Sequence, residues 1–224
     1  MTSQDDTANE NTANENTANE NTAKENICLF GGTFDPIHLG HTHIATEAVR
    51  KLNLDRVLFL PCRQSPHKAG QEHASEQHRL AMCRLSTENF EWAEVNDHDL
   101  TAPAPSYSWI TAEAMAARFA NGRLFWLMGT DQWEALPRWN RPEHLSSLVE
   151  FIVFTRGDEP VPRAGYRLHS ITGDHPASAT AIRKSAPNQL KTDWLDPKVG
   201  EYIRKHSLYL PQPTNKQGSP SAQA

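Results

Sequence analysis

Short apolar runs separated by amphipathic stretches organise the chain from Ile27 to Leu210. Ile27–Phe30 (ICLF) is apolar throughout and reads as a strand buried on both faces. His41–Leu52 follows as a predicted helix, with Ile44, Ala45, Ala48, Val49 and Leu52 on one face. Val57–Leu60 (VLFL) is the next predicted strand and stops at Pro61. Glu76–Thr87 has a helical pattern, Trp92–Val95 reads as a strand, and Tyr107–Phe119 as a helix ending at Asn121-Gly122. Leu124–Met128 (LFWLM) and Phe151–Phe154 (FIVF) are two more buried strands, and Thr180–Ser185 and Pro197–His206 look helical. This alternation predicts an α/β domain with a Rossmann-like open, mostly parallel sheet and helices on both faces, in three α/β/α layers. Ligands of such sheets sit beyond the carboxyl ends of the strands, so the chemistry is expected in the loops that follow them.

The ends break the pattern. Thr7–Asn26 is a pentapeptide repeat, TANEN three times and then TAKEN. A period of five matches neither a helix face nor a strand face, and alanine is its only apolar content, so it cannot offset its own ordering entropy. The expected organisation is a disordered repeat tail over 1–26, one domain over 27–210, and a second disordered tail over 211–224, rich in Pro, Gln and Ser. These ends account for the mean hydropathy of -0.65. The first also carries six acidic side chains against Lys24 alone, which equals the whole net charge of -5 and leaves the body neutral. A neutral body does not suit a nucleic-acid binder, which needs a basic excess for phosphate contacts. No apolar run approaches the ~20 residues that span a bilayer, so no membrane partner is expected. Cys28, Cys62 and Cys83 are too few and too scattered for a disulfide framework or a CxxC zinc site. The N-terminus also lacks the basic and apolar regions of a signal peptide, and a cytoplasmic protein with reduced thiols is the expectation.

The loop after the first strand reads Gly31-Gly32-Thr33-Phe34-Asp35-Pro36-Ile37-His38-Leu39-Gly40-His41. Two glycines allow close backbone approach to a ligand, and the helix that starts near His41 offers free N–H groups to an anion. His38 and His41 can both donate to phosphate oxygens there. The same residues would also serve a tight turn with incidental histidines, or a zinc pair, for which no third ligand of suitable spacing is evident. The phosphate-binding patterns GxxxxGK[ST] and GxGxxG are absent. Near the C-terminus, Ser178 and Thr180 are hydroxyls at a predicted helix start, with Arg183 three residues after Thr180 on the same side. Together they supply donors, a dipole and a fixed cation suited to a polyphosphate, or simply a capped helix with a surface arginine.

GGTFDPIHLGH resembles the signature of the nucleotidylyltransferase superfamily, with its [HT]xGH element. ASATAIR, residues 177–183, resembles the superfamily's ISSTxIR, with alanine replacing its leading Ile and second Ser. Within the superfamily the chain resembles the bacterial nicotinate-mononucleotide adenylyltransferases. Pro66-His67-Lys68 is similar to their PPHK stretch, Pro105-Ser106-Tyr107-Ser108 to their PSYT, and Gly129-Thr130-Asp131 to their G-x-D loop. Leu136-Pro137-Arg138-Trp139 is similar to the stretch that carries their stacking aromatic. The basic residue usual in that family a few positions before PSYT is missing from Leu100-Thr101-Ala102-Pro103-Ala104.

The resemblance implies the three-layer nucleotidyltransferase fold and transfer of the adenylyl group of ATP to nicotinate mononucleotide. It implies His38, His41 and Arg183 as catalytic residues. ATP would be bound by Gly31, Gly32, Thr33, His38, His41, Gly129, Asp131, Ser178, Thr180, Ile182 and Arg183, and the mononucleotide by Lys68, Tyr107, Ser108 and Trp139. Mg²⁺ would be held mainly by the ATP phosphates, with no protein metal site. The expected partners are these small molecules, with a homo-oligomer left open. Rival readings are the same chemistry on nicotinamide mononucleotide or another phosphorylated acceptor, and a silent nucleotide sensor on the same fold.

Overall fold

The computed structural model describes residues 24–63, 74–103, 105–185 and 190–209. The repeat through Ala23, the candidate ligand Lys68 and the C-terminal tail lie outside the described residues. The chain enters as strand β1 (Asn26–Gly32) and continues through α1 (Leu39–Leu52), β2 (Arg56–Pro61), α2 (Glu76–Thr87), β3 (Ala93–Val95) and a four-residue α3 (His98–Thr101). After α4 (Ser108–Arg118) come β4 (Arg123–Gly129), α5 (Thr130–Ala135), α6 (Pro142–Leu148), β5 (Glu150–Thr155) and β6 (Leu168–Thr172). The helices α7 (Ala179–Lys184) and α8 (Pro197–Lys205) close the fold. Local chemistry sets several boundaries. Asn53 stops α1 in a left-handed conformation (φ 50°), and the Ser75 hydroxyl opens α2 by accepting from the His78 N–H. Asp196 does the same for α8, followed by Pro197 in the first turn.

The six strands form one parallel sheet in the order β3-β2-β1-β4-β5-β6. The chain therefore builds outward from β1 in one direction, then crosses to β4 and builds outward in the other. The crevice lies where these directions part, between the carboxyl ends of β1 and β4. Side-chain alternation divides the core in two. Cys28, Phe30, Phe59, Phe125, Leu127 and Ile152 pack on the layer of α1, α2, α7 and α8. Ile27, Leu29, Leu58, Trp126, Met128 and Phe151 pack on α4, α5 and α6. No helix among the described residues is long and apolar enough to cross a membrane.

Three features depart from the sequence reading. Glu25 and Asn26, the end of the last repeat unit, take part in the sheet: Asn26 opens β1, the Glu25 carbonyl accepts from the Arg123 N–H, and its carboxylate pairs with Arg56 at 3.0 Å. β6 is an edge strand in which only Ile171 is fully buried, so it lacks the continuous apolar run of its neighbours. Its parallel crossover from β5 contains no helix. Instead the connecting loop docks on Trp133, whose Nε1 donates to the Val161 carbonyl at 3.0 Å and whose ring lies under Arg163.

At the opposite end of the sheet from the crevice, Glu150 is a buried acid with a rich set of donors. Its carboxylate accepts from Arg123 Nε and Nη2 at 2.7 and 2.6 Å and from His169 Nε2 at 2.8 Å, and it pairs with Arg167 at 3.2 Å. The Arg123 bonds lead in holding its pKa down, to about 2, against the desolvation that raises it. A carboxylate shifted in this direction contributes stability that is present above its unfolded value near 4.5 and is lost as pH falls through about 2. Glu150→Gln is expected to lower stability at pH 7 by about 1–3 kcal/mol. The thermal midpoints of variant and parent should converge as pH falls from 4.5 to 2, and a difference independent of pH would contradict this.

Candidate active site

A cavity of 720 Å³ opens over the carboxyl ends of β1 and β4. The loop after β1 forms its floor. A Cβ on Gly31 would stand 3.2 Å from the Trp126 ring, and one on Gly32 would stand 2.9 Å from the Phe34 ring, so both positions admit only hydrogen without movement. Phe34 has a left-handed backbone (φ 47°) that turns its ring inward onto Phe30, His41 and Phe59. Its burial turns the loop over a hydrophobic anchor and leaves Thr33 and the neighbouring backbone on the cavity side.

The two signature histidines have different situations. His38 is the N-cap of α1, and its backbone N–H donates to His41 Nδ1 at 3.2 Å. That bond requires Nδ1 of His41 to be unprotonated, so in the neutral ring the proton sits on Nε2, which becomes a donor. His41 lines the cavity. The His38 ring stacks behind it, with centroids 3.8 Å apart, and is only 7% exposed. Burial above all, with the charge of His175 adding, holds the His38 pKa down to about 4, so it is neutral at pH 7. Gly40 lets these groups converge, because a Cβ there would lie 3.0 Å from His38 Nδ1 and 3.3 Å from His175 Nδ1.

The helix period of α7 sorts the second signature. Ala179, Thr180 and Arg183 face the cavity, whereas Ile182 points the other way and is fully buried in the core. The Ile182 side chain packs under the helix and is not part of the cavity wall. Ser178 is also outside the wall and caps α7 by accepting from the Ala181 N–H at 3.5 Å. Arg183 Nη1 donates to the Asp35 carbonyl at 2.6 Å and stands 4.0 Å from the Asp35 carboxylate. That carboxylate accepts from the Tyr209 hydroxyl at 2.7 Å and the Ala74 N–H at 3.2 Å. Behind the loop, Arg79 is 2% exposed and gives its guanidinium to the carbonyls of Thr33, Cys62, Arg63 and Ala74.

At the end of β4, Gly129 leaves room for Asp131, whose Oδ1 would lie 2.9 Å from a Cβ there. The far part of the cavity is made by Ser106, Tyr107 and Ser108 at the start of α4, and by Arg138, Trp139 and Asn140 after α5. Trp139 meets Trp126 edge to face at 6.5 Å, which fixes its plane beside the opening. Gly31, Gly32, Thr33, His41, Gly129, Asp131, Thr180, Arg183, Tyr107, Ser108 and Trp139 thus share one cavity, with His38 immediately behind it.

Among the wall residues, Asp99 and Arg138 were given no role from the sequence. Asp99 in α3 is 6% exposed, accepts from the Thr111 hydroxyl at 2.6 Å, and has its carboxyl pushed up by burial. Its position just beyond the carboxyl end of β3 was the available signal. Arg138 is a cation directly before Trp139. Among the described residues, no group of three or more His, Cys, Asp or Glu is disposed to hold a metal ion.

The chain is similar to known proteins in sequence and in fold. A family profile described as cytidylyltransferase-like matches residues 29–185. A probable nicotinate-nucleotide adenylyltransferase of Methylacidiphilum infernorum is 35% identical over 197 residues, covering 84% of this chain and 94% of its own. The nicotinate-nucleotide adenylyltransferase of Bacillus subtilis is 32% identical over 184 residues, with 82% and 97% covered. Among solved structures, Plasmodium falciparum nicotinic acid mononucleotide adenylyltransferase complexed with NaAD superposes with a TM-score of 0.66 at 20% identity, covering 83% of this chain and 97% of that one. This last likeness carries the fold.

The buried His38 generates a pH prediction. Its folded pKa lies near 4 against 6.5 for the free side chain, so the unfolded chain takes up the proton first. Stability from this residue is full above pH 6.5 and falls as pH drops toward 4. His38→Gln, which does not titrate, should therefore gain thermal midpoint relative to the parent between pH 6.5 and 4. A constant difference across that range would contradict the assignment.

Proposed function

The chain belongs to the nicotinate-nucleotide adenylyltransferase family of cytidylyltransferase-like proteins, and we propose that it transfers the adenylyl group of ATP to nicotinate mononucleotide. The products are nicotinate adenine dinucleotide, formed in NAD biosynthesis, and pyrophosphate. The carrying observation is a single cavity with two unlike ends: His41, Arg183 and the Gly-Gly turn at one, Tyr107, Ser108 and Trp139 at the other. Such a cavity suits two phosphorylated substrates that must meet near the middle.

The acceptor is a phosphate monoester, mostly dianionic at pH 7 because its second pKa is about 6. Its oxygen attacks the α-phosphorus of ATP. The new P–O bond forms as the bond to the β-phosphate breaks, and the electron pair leaves with pyrophosphate. No general base and no covalent enzyme intermediate are needed, so the work of the protein is positioning and charge stabilisation. In this reading His41 donates from Nε2 to oxygens around the α-phosphorus, backed by the neutral His38 ring. Arg183 and Thr180 hold the departing phosphates, Ser178 keeps α7 in register for them, and Gly31, Gly32 and Thr33 supply backbone donors. Asp131 after Gly129 suits a ribose hydroxyl, and the Trp139 ring suits stacking on the pyridine. Lys68 is proposed as a further phosphate contact from the family resemblance alone.

The N–H groups and the guanidinium of the cavity suit the ATP phosphates, and Mg²⁺ would be carried by those phosphates. When bound there, Mg²⁺ draws negative charge off the leaving pyrophosphate. The unpaired state of Cys28, Cys62 and Cys83 supports a reducing, cytoplasmic setting. The residues around 27–210 are proposed as the whole catalytic unit.

One observation favours a second acceptor, nicotinamide mononucleotide: the Asp99 carboxyl in the wall could accept from an amide NH₂. Two others favour the acid. Arg138 offers a cation beside Trp139, and the first turn of α4 presents free N–H groups and a positive dipole end to a carboxylate. Burial also raises the Asp99 pKa and so lessens its repulsion of an acid.

Two measurements test this reading. His41→Ala should reduce kcat by about 10² or more, the usual cost of one preorganised donor to transition-state charge. A folded variant with full activity would remove His41 from the mechanism. The parent should prefer nicotinate over nicotinamide mononucleotide by at least about 10² in kcat/KM at saturating ATP and Mg²⁺, because the amide leaves donors unpaired in a closed site. Equal values would reassign it as a dual-specificity adenylyltransferase.

A further inference from the structure

We propose that Trp109 is a positioning residue for the acceptor: its indole ties the turn Trp139-Asn140-Arg141 to α4 and so preforms the mononucleotide end of the cavity. The inference rests on the reading of Trp139 as the ring that stacks on the pyridine.

Trp109 lies in the first turn of α4, directly after the wall residues Tyr107 and Ser108, but is itself outside the cavity wall. Its half-buried indole donates from Nε1 to Asn140 Oδ1 at 2.9 Å. The Arg141 guanidinium lies over the same ring, 4.5 Å from its centroid. One side chain thus grips two consecutive residues, one by its edge and one by its face. A second link joins the same helices one turn further on. His144 of α6 donates from Nε2 to the Glu113 carboxylate of α4 at 2.7 Å, and its ring meets Trp109 edge-on at 5.7 Å. Trp109 therefore connects the two segments that build the far part of the cavity, the start of α4 and the turn after α5.

The turn needs such a grip. Arg141 has left-handed backbone (φ 51°), which a residue with a Cβ rarely adopts. It also precedes Pro142, and a residue before proline prefers extended backbone. Contacts must hold a conformation that the chain disfavours locally. On one side of the turn the Trp139 N–H bonds the Leu136 carbonyl at 2.9 Å. On the other, Asn140 and Arg141 are tied to α4 through Trp109. The grip also orients an amide. An indole N–H can only donate, so it takes the oxygen of Asn140 and leaves Nδ2, a donor, to a side chain that lines the cavity. A wall group that donates suits a phosphorylated, acidic acceptor.

The test is steady-state pyrophosphate release by the full chain, with KM and kcat determined separately for ATP and nicotinate mononucleotide. Trp109→Phe keeps a ring beneath Arg141 and removes the N–H. It should raise KM for the mononucleotide about three- to tenfold, the scale of one hydrogen bond. KM for ATP and the thermal midpoint should stay close to the parent. Asn140→Ala, which removes the acceptor instead, should show the same selective rise. In that background Trp109→Phe should add nothing further, because the N–H has already lost its partner. An unchanged mononucleotide KM in Trp109→Phe, an equal rise for both substrates, or an equal rise in both backgrounds would overturn the proposal and leave Trp109 a packing role. Trp139→Ala separates the two levels. If it raises KM for the mononucleotide while Trp109→Phe is silent, only this inference fails; if it leaves mononucleotide kinetics unchanged, the reading of Trp139 fails with it.

Discussion

A buried arginine that spends its guanidinium on backbone carbonyls sets the geometry of this molecule. Arg79 reaches from α2 to Thr33 in the loop after β1, to Cys62 and Arg63 at the end of β2, and to Ala74 just before its own helix. Burying a cation is costly unless its donors are met, and here four carbonyl dipoles meet them. Those carbonyls belong to the segments that follow two adjacent strands. The arginine therefore fixes the relative height of the strand ends on which the cavity floor rests. The Ala74 peptide extends the linkage, because its carbonyl accepts from Arg79 while its N–H donates to Asp35.

On this base the cavity presents a consistent set of neutral or cationic donors. The N-cap bond from His38 selects the tautomer of His41, and burial keeps His38 itself uncharged at pH 7. A preorganised neutral donor has the advantage that it does not trap the bound polyanion in its ground state as a second fixed charge would. The guanidinium of Arg183 supplies the full charge, and does so from α7, an element separate from α1. Charge and orientation thus come from different helices of one layer, tied together at Asp35.

Much of this was legible in the sequence because the strands are apolar on both faces and bounded by glycine or proline. The parallel α/β order followed from that pattern, and the two signature stretches from their resemblance to a family's motifs. Elements with weak patterns escaped it. β6 offers one buried residue, Ile171, on a sheet edge, and α5 and α6 are too short for a 3.6-residue period to declare itself. The burial of the Ile182 side chain was not legible because a motif names a stretch of residues, while the helix turns each of them to a different side. Arg79 and Tyr209 carried no local signal at all. Their partners are carbonyls and a carboxylate brought near only by the tertiary fold, as with Asp35 and Tyr209 at opposite ends of the domain.

That separation has a consequence for synthesis. The loop after β1 leaves the ribosome early, yet its Asp35 partners Arg183 and Tyr209 are 148 and 174 positions later. Domains generally fold as units, and contacts of such long range are the slowest to close. A growing chain can pair β1 with β2 and engage Arg79 while its last helices are still being made. It cannot complete the cavity wall at Thr180 and Arg183 until α7 has emerged. The cavity is thus finished only once the first and last elements of the described domain have come together.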